Sequence, residues 1–223
     1  MNEVQPIRDF ENIFKIIEYL KTNHFSIAVV FVLGIYSGLR VSDIINLNIV
    51  DVLDKDEIRV KEKKTKKIKI FPIKQQPKEL LDEYLRVRFN EGVKKTSPLF
   101  IGVKGDRLHR SMVYKGINEA CEHIGLVGLF GTHTMRKTFG YHHYKQNHDV
   151  VLLQKIFNHS SPSITLRYIG VEQDEINCSY EKFEYSSELQ KSTNTTDFSE
   201  QFQQLNKRID ILIKLYLEIC KRL

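Results

Sequence analysis

Apolar residues recur at helical spacing along most of this chain and at strand spacing over one short stretch. Asp9–Thr22 sets Phe14, Ile17 and Leu20 on one face and predicts an amphipathic helix. Phe25–Tyr36 is an unbroken apolar run, which predicts a buried helix, with Gly38 as its stop and Ser42 as the cap of the next helix. Glu57–Lys61 and Lys67–Phe71 alternate charged and apolar side chains with period two, so they predict a hairpin with Lys63, Lys64, Thr65 and Lys66 at its tip. Later helices are predicted at Ser111–His123, at His133–Asn147 behind a Thr132 cap, and at Asp149–Phe157. Ser161-Pro162 pairs a cap with a first-turn proline and starts a short helix through Tyr168. The fold class expected is α+β, mainly α-helical with one small antiparallel β-hairpin.

The pattern changes near the C-terminus. After a polar linker, residues 186–197, Phe198, Phe202, Leu205, Ile209, Leu212, Tyr216, Ile219 and Leu223 recur at alternating steps of four and three. That is a heptad seam, and it predicts a helix over 198–223 that packs against something. Two partners stay open, a second copy of the chain in a coiled coil or the chain's own globular part. In the first case Phe202, Leu205, Ile209, Leu212, Tyr216 and Ile219 form the oligomerisation face.

A length of 223 residues bounds the chain to one substantial domain with an appendage. Thirty-four Lys and Arg against 28 Asp and Glu give a net charge of +6. This modest excess suits a nucleic-acid partner only where it gathers on one face. Cys121, Cys178 and Cys220 are odd in number and far apart, which fits reduced thiols in a cytoplasm rather than a disulfide framework. The Phe25–Tyr36 run falls short of the roughly 20 residues that span a bilayer, so no membrane partner is expected. Charges interrupt residues 1–24 throughout, unlike a signal peptide.

The stretch from Thr132 to Tyr168 carries the chemistry. It sets His133, Arg136, Lys137, His159 and Tyr168 at spacings suited to a phosphodiester. An arginine fork matches the non-bridging oxygens with two parallel charge-assisted hydrogen bonds. A tyrosine hydroxyl becomes a useful nucleophile only beside a base or dense positive charge. Arg40 lies in the Gly38–Ile44 junction between two helices. Singly, each residue has an ordinary reading: Arg40 as a surface arginine, His133 as a helix-start histidine, and the six lysines of Lys61–Lys69 as a solvated basic face. Only the joint pattern selects the functional reading. A metal site is not expected, since the chain has no His-Glu-x-x-His, paired cysteines or carboxylate cluster at ligand spacing.

On these residues the chain resembles the tyrosine recombinases, or phage integrases, from about Pro6 to Val171. The shared pattern is an arginine in a Gly-Leu-Arg box before a Ser-Asp-Ile helix, a lysine on a hairpin turn, a His-x-x-Arg helix, a His-Ser box and a tyrosine. These correspond to Arg40, Lys64, His133, Arg136, His159 and Tyr168. Lys64 is placed by lying eight residues before Pro72, as the family's lysine lies before its closing proline; Lys63 or Lys66 would substitute if the register slips. Lys137 stands where the family often has histidine, and Gly140-Tyr141 replace its usual small pair.

The resemblance implies cofactor-independent strand exchange on double-stranded DNA. Tyr168 would attack the scissile phosphate and form a 3′-phosphotyrosine, with Arg40 and Arg136 on the phosphate oxygens. Lys64 would act as general acid, His133 would assist the tyrosine's proton transfer, and His159 would donate to the phosphate. It also implies a dimer or tetramer on DNA, with accessory proteins possible. Lys63, Lys66, Lys67, Arg107, Arg110, Lys115 and Lys137 are the further expected DNA contacts. The expected organisation is a catalytic domain over 1–185, the linker, and the heptad helix. The family's core-binding domain is absent before the catalytic pattern, so the chain reads either as naturally short or as a fragment. Two other functions fit the same residues, a non-cutting architectural DNA-binding protein and a type IB topoisomerase-like enzyme.

Overall fold

The computed structural model describes residues 4–61, 67–90, 93–102, 104–171, 178, 180 and 181. The expected hairpin-tip lysines Lys63, Lys64 and Lys66, the linker and the heptad seam lie outside the described residues. The chain divides into two compact units, Met1–Glu175 and Ile176–Leu223. In the second, Cys178 is half-buried with a free thiol and Tyr180 is exposed.

Helix α1, Phe10–Asn23, begins where the Asp9 side chain accepts from the Glu11 amide. It buries Ile13, Ile16 and Leu20. Phe14, expected on the buried face, is 55% exposed. The inward stripe is therefore rotated from the predicted one, and spacing alone could not distinguish the two because both repeat every three to four residues.

Helix α2, Phe25–Ser37, is the axis of the unit, apolar on every side and packed against α1 and later helices. It ends at Gly38, whose φ of +63° is open to glycine at little cost. A side chain there would also strike Phe139, since a Cβ would lie 2.5 Å from its ring. Helix α3, Val41–Ile44, follows with Arg40, not Ser42, as its N-cap residue.

Strands β1, Glu57–Lys61, and β2, Ile68–Pro72, pair antiparallel, with Ile58 opposite Phe71 and Val60 opposite Lys69. Ile58 and Val60 are buried. On β2 the apolar alternation faces outward: Ile68 and Ile70 are 68% and 53% exposed, while Lys69 is half-buried on the inner face. Helix α4, Gln75–Asn90, which the apolar pattern does not single out, packs on α2 through its buried Leu81, Tyr84 and Leu85.

Helices α5, Arg110–His123, α6, Thr134–Asn147, α7, Val150–Phe157, and α8, Pro162–Ile169, complete the unit. Ser161 caps α8 by accepting from the Ile164 amide, as its sequence predicts. Helix α6 starts one residue later than expected. His133 is its N-cap residue without a side-chain capping bond, and the Thr134 hydroxyl, not Thr132, accepts from the Gly131 amide. Gly140 lets α6 touch its neighbours, because a Cβ there would lie 2.6 Å from Ile169 and 2.8 Å from Phe157. Before α1, the Ile7 amide donates to the Thr138 hydroxyl of α6, and Arg8 donates to Gly170 O just past α8. Cys121 is buried, and burial pushes its thiol up to about 12, so it stays protonated and inert.

Candidate active site

The starts of α3 and α6 and the ends of α7 and α8 bring the candidate residues together, with strand β2 alongside. Arg136, on the first turns of α6, is 3% exposed. Its Nη1 donates to Gly38 O at the end of α2, and its Nη2 donates to Phe157 O at the end of α7, at 2.9 Å. Both acceptors lie at helix C-termini, where unpaired carbonyls carry partial negative charge, so the guanidinium is solvated by two helix ends. The guanidinium also stacks 4.3 Å from the centroid of the Phe157 ring.

The end of α7 holds two further cations. Lys69 of β2 donates to Ile156 O, and Lys67 donates to Asn158 Oδ1 at 2.7 Å. The carbonyl end of this helix explains why a lysine, rather than Ile68 or Ile70, occupies the inner face of β2. Asn158 adopts the left-handed conformation as C-cap of α7, and His159 follows at once.

His159 is half-buried and fixed at both its edge and its ring. Its Nδ1 lies 3.0 Å from the Thr165 hydroxyl, and its ring meets that of Tyr168 edge-on with centroids 5.2 Å apart. The Tyr168 ring also packs on Phe157, at 5.6 Å. The Tyr168 hydroxyl reaches the opposite wall, where it lies 3.3 Å from Nδ1 of His133. Tyr168 is thus buttressed by α7 and hydrogen-bonded to α6.

The field in this site is positive. The pKa of His133 is lowered first by burial of its ring and then by Arg110, Arg136, Lys137 and Arg40. That of His159 is lowered by burial, Arg136, Arg40 and Lys69. Both histidines are therefore held neutral near pH 7, and a neutral Nδ1 on His133 can accept a proton from Tyr168. The arrangement suits binding an anion and activating a hydroxyl against it.

Of the expected catalytic residues, Arg40, His133, Arg136, His159 and Tyr168 converge here. Lys64 lies outside the described residues. Among the expected DNA contacts, Arg110 stands beside the site, its Nε 3.4 Å from the Thr132 hydroxyl. Lys115 is exposed on α5, 3.8 Å from Glu119. Two expectations need correction. Arg107 turns inward and donates to Ile45 O, Leu47 O and Asn48 Oδ1, at 3.0, 3.0 and 2.8 Å, so it clips the segment after α3 and is not a free surface cation. Lys137 is 5% exposed, with its ammonium 5.1 Å from the centroid of the Tyr168 ring, so it too is no surface contact. Lys69 and Thr165 join the site without having been singled out. The only advance sign of Lys69 was its position two residues before Phe71, in phase with the strand's inner face.

Residues 7–175 match the model of the phage integrase family. The chain is 40% identical over 184 residues to the probable integrase/recombinase YoeC of Bacillus subtilis, covering 82% of this chain and 98% of YoeC. It is 31% identical over 170 residues to tyrosine recombinase XerC of Thermodesulfovibrio yellowstonii, covering 73% of this chain and 56% of that protein. In fold it resembles the XerH site-specific recombinase in a post-cleavage complex with a palindromic difH substrate, with a TM-score of 0.65 and 22% identity over 81% of this chain and 54% of XerH. The chain therefore spans nearly all of YoeC but about half of XerC or XerH. With the match extending over the whole of the first unit from Ile7, and the arginines, histidines and tyrosine gathered at one site, the chain belongs to the phage integrase family of tyrosine recombinases.

Proposed function

We propose that this protein is a site-specific DNA recombinase that cuts and rejoins double-stranded DNA through a 3′-phosphotyrosine, with no metal in the reaction. The observation that carries the reading is the contact between the Tyr168 hydroxyl and a histidine kept neutral by burial of its ring and by the cations around it.

Tyr168 Oη attacks the scissile phosphorus while its proton passes to Nδ1 of His133. A Tyr168 oxygen–phosphorus bond forms, and the bond from phosphorus to the 5′-oxygen breaks. That oxygen leaves as a hydroxyl with a proton from the hairpin-tip lysine, Lys64. Arg40 and Arg136 hold the non-bridging oxygens, a form of electrostatic preorganisation that needs no rearrangement as charge develops. The carbonyls fixing Arg136 set its guanidinium plane before DNA arrives. Since Nδ1 of His159 is engaged by Thr165, Nε2 is the nitrogen that meets the phosphate. Attack by a partner strand's 5′-hydroxyl on the phosphotyrosine reverses the step and returns the proton to Tyr168.

Exchange needs two or four copies on DNA, so we place the protein in a homo-oligomer in the cytoplasm, at the nucleoid, where accessory proteins can join it. Lys63, Lys66, Lys67, Arg110 and Lys115 are the phosphate-positioning contacts of this reading. The test is to incubate the purified chain with sheared DNA from its source, denature it in detergent, and sequence the ends of protein-linked fragments beside a Tyr168→Phe control. A 3′-linked adduct at a recurring site, absent from the control, is the expected result. DNA binding without any adduct would overturn it in favour of an architectural protein.

A further inference from the structure

Lys137 is a charged side chain that the mechanism above does not use. A lysine 5% exposed is unusual, because burial of an ammonium is costly unless something nearby compensates it. The face of the Tyr168 ring lies at 5.1 Å from its nitrogen. Lys137 sits one turn after His133, and its amide donates to His133 O, so α6 presents base and ammonium to the same tyrosine. Among the described residues, the other groups facing Tyr168 and its histidines include His159 before α8, Arg136 of α6, Arg40 at the start of α3, Arg110 of α5 and Lys69 of β2. Among the described residues, the charges that lower the two histidines are all positive.

We propose that Lys137 is a positioning residue for the nucleophile, its ammonium favouring the phenolate of Tyr168 through the face of the ring. The inference rests on the reading of Tyr168 as nucleophile. An aromatic ring attracts a cation at its face through its quadrupole. Loss of the hydroxyl proton adds negative charge that delocalises into the ring, so the attraction strengthens as the proton leaves. The interaction is therefore greater in the reacting state than in the resting one, which is the condition for accelerating the step. Lys137 takes up no proton: that proton goes to His133 Nδ1, and the oxygen electron pair goes to phosphorus. A surface lysine at this position could not act in this way, and neither could a neutral side chain.

The test needs no DNA. The full chain, labelled with carbon-13 at the phenolic carbon of tyrosine, is titrated by NMR, and Tyr168→Phe identifies the signal. Wild type, Lys137→Arg, Lys137→Met and Lys137→Gln are compared, with the remaining tyrosine signals reporting whether each variant is folded. The expected result is a Tyr168 midpoint about one pH unit higher in the Met and Gln variants, a tenfold smaller phenolate-to-phenol ratio at a given alkaline pH. Lys137→Arg, which stays charged through the titration, should keep the wild-type midpoint. A midpoint unmoved in the neutral variants would overturn the proposal, as would an arginine variant that shifts as far as they do. Absence of a DNA adduct in the separate trapping experiment would refute Tyr168 as nucleophile without altering this titration.

Discussion

Lys69 of β2 and Arg136 of α6 donate to consecutive carbonyls, Ile156 O and Phe157 O, at the end of α7. One helix terminus thereby fixes a strand and the arginine of the His-x-x-Arg motif. Arg136→Lys keeps a charge but loses the planar fork that spans two helix ends, leaving at least one buried carbonyl without its donor. A loss of about 1–3 kcal/mol of stability is expected from such a group. Denaturant unfolding reads it, and adduct formation should fall with it; an unchanged unfolding midpoint would remove the guanidinium's structural role.

Lys69→Met retains the aliphatic stem and deletes the ammonium, and with it the bond to Ile156 O and the charge beside His159. The hairpin should then open more readily from α7, so amide hydrogens of Ile68–Phe71 exchange faster while those of α2 keep their rate. Equal protection in both proteins would mean that strand pairing and apolar contacts alone seat the hairpin.

Gly140→Ala puts a Cβ within 2.6 Å of Ile169 and 2.8 Å of Phe157, so α8 must shift. Overpacking of this kind costs about 1–3 kcal/mol. Because α8 carries Tyr168, adduct yield should fall further than the stability loss explains. Thermal melting beside the trapping assay separates the two effects, and an alanine variant with wild-type melting would show that the helices can yield at this point.

His133, His142, His143 and His159 all have pKa values lowered from the usual imidazole value, with burial the first cause in each. As pH falls below about 6.5, the unfolded chain takes up protons that the folded chain refuses. Stability from these groups is therefore complete above that pH and lost as pH drops through the lowered folded values. Melting temperature should stay level on the neutral side and decline on the acid side, and a rise on acidification would contradict the assignment.

Arg107→Ala should destabilise the chain, since three acceptors lose their donor, and leave the salt dependence of DNA binding unchanged. Arg110→Ala should do the reverse, reducing the slope of log affinity against log salt by about one phosphate contact. Binding isotherms at several salt concentrations distinguish them. A shallower slope for Arg107→Ala would restore it to the DNA-facing set.

What the sequence could disclose depended on how local the cause was. The Ser161-Pro162 cap, the Gly38 stop and the His133–Arg136 spacing are set within a turn of helix, and each is legible in the order of residues. The directions of Arg107 and Lys137 are not, because their partners lie 59 to 62 residues away for Arg107 and on another helix for Lys137. A basic side chain reads as solvated until its acceptors are known. The inner face of β2 was not legible for the same reason, since the carbonyl end of α7 decides that Lys69 and not Ile70 turns inward. Lys64 was placed by its spacing to Pro72 and lies outside the described residues.

The bonds from Ile7 to Thr138 and from Arg8 to Gly170 span 131 and 162 residues of sequence. The segment around Ile7 and Arg8 must therefore wait for nearly the last part of the first unit before it can dock. Contacts of such long range form late, because closing the loop comes before any reward from the contact. Since Arg8 fastens the end of the helix that bears Tyr168, an unfinished polypeptide lacks this fastening, and that helix is secured only once the unit has been synthesised through Gly170.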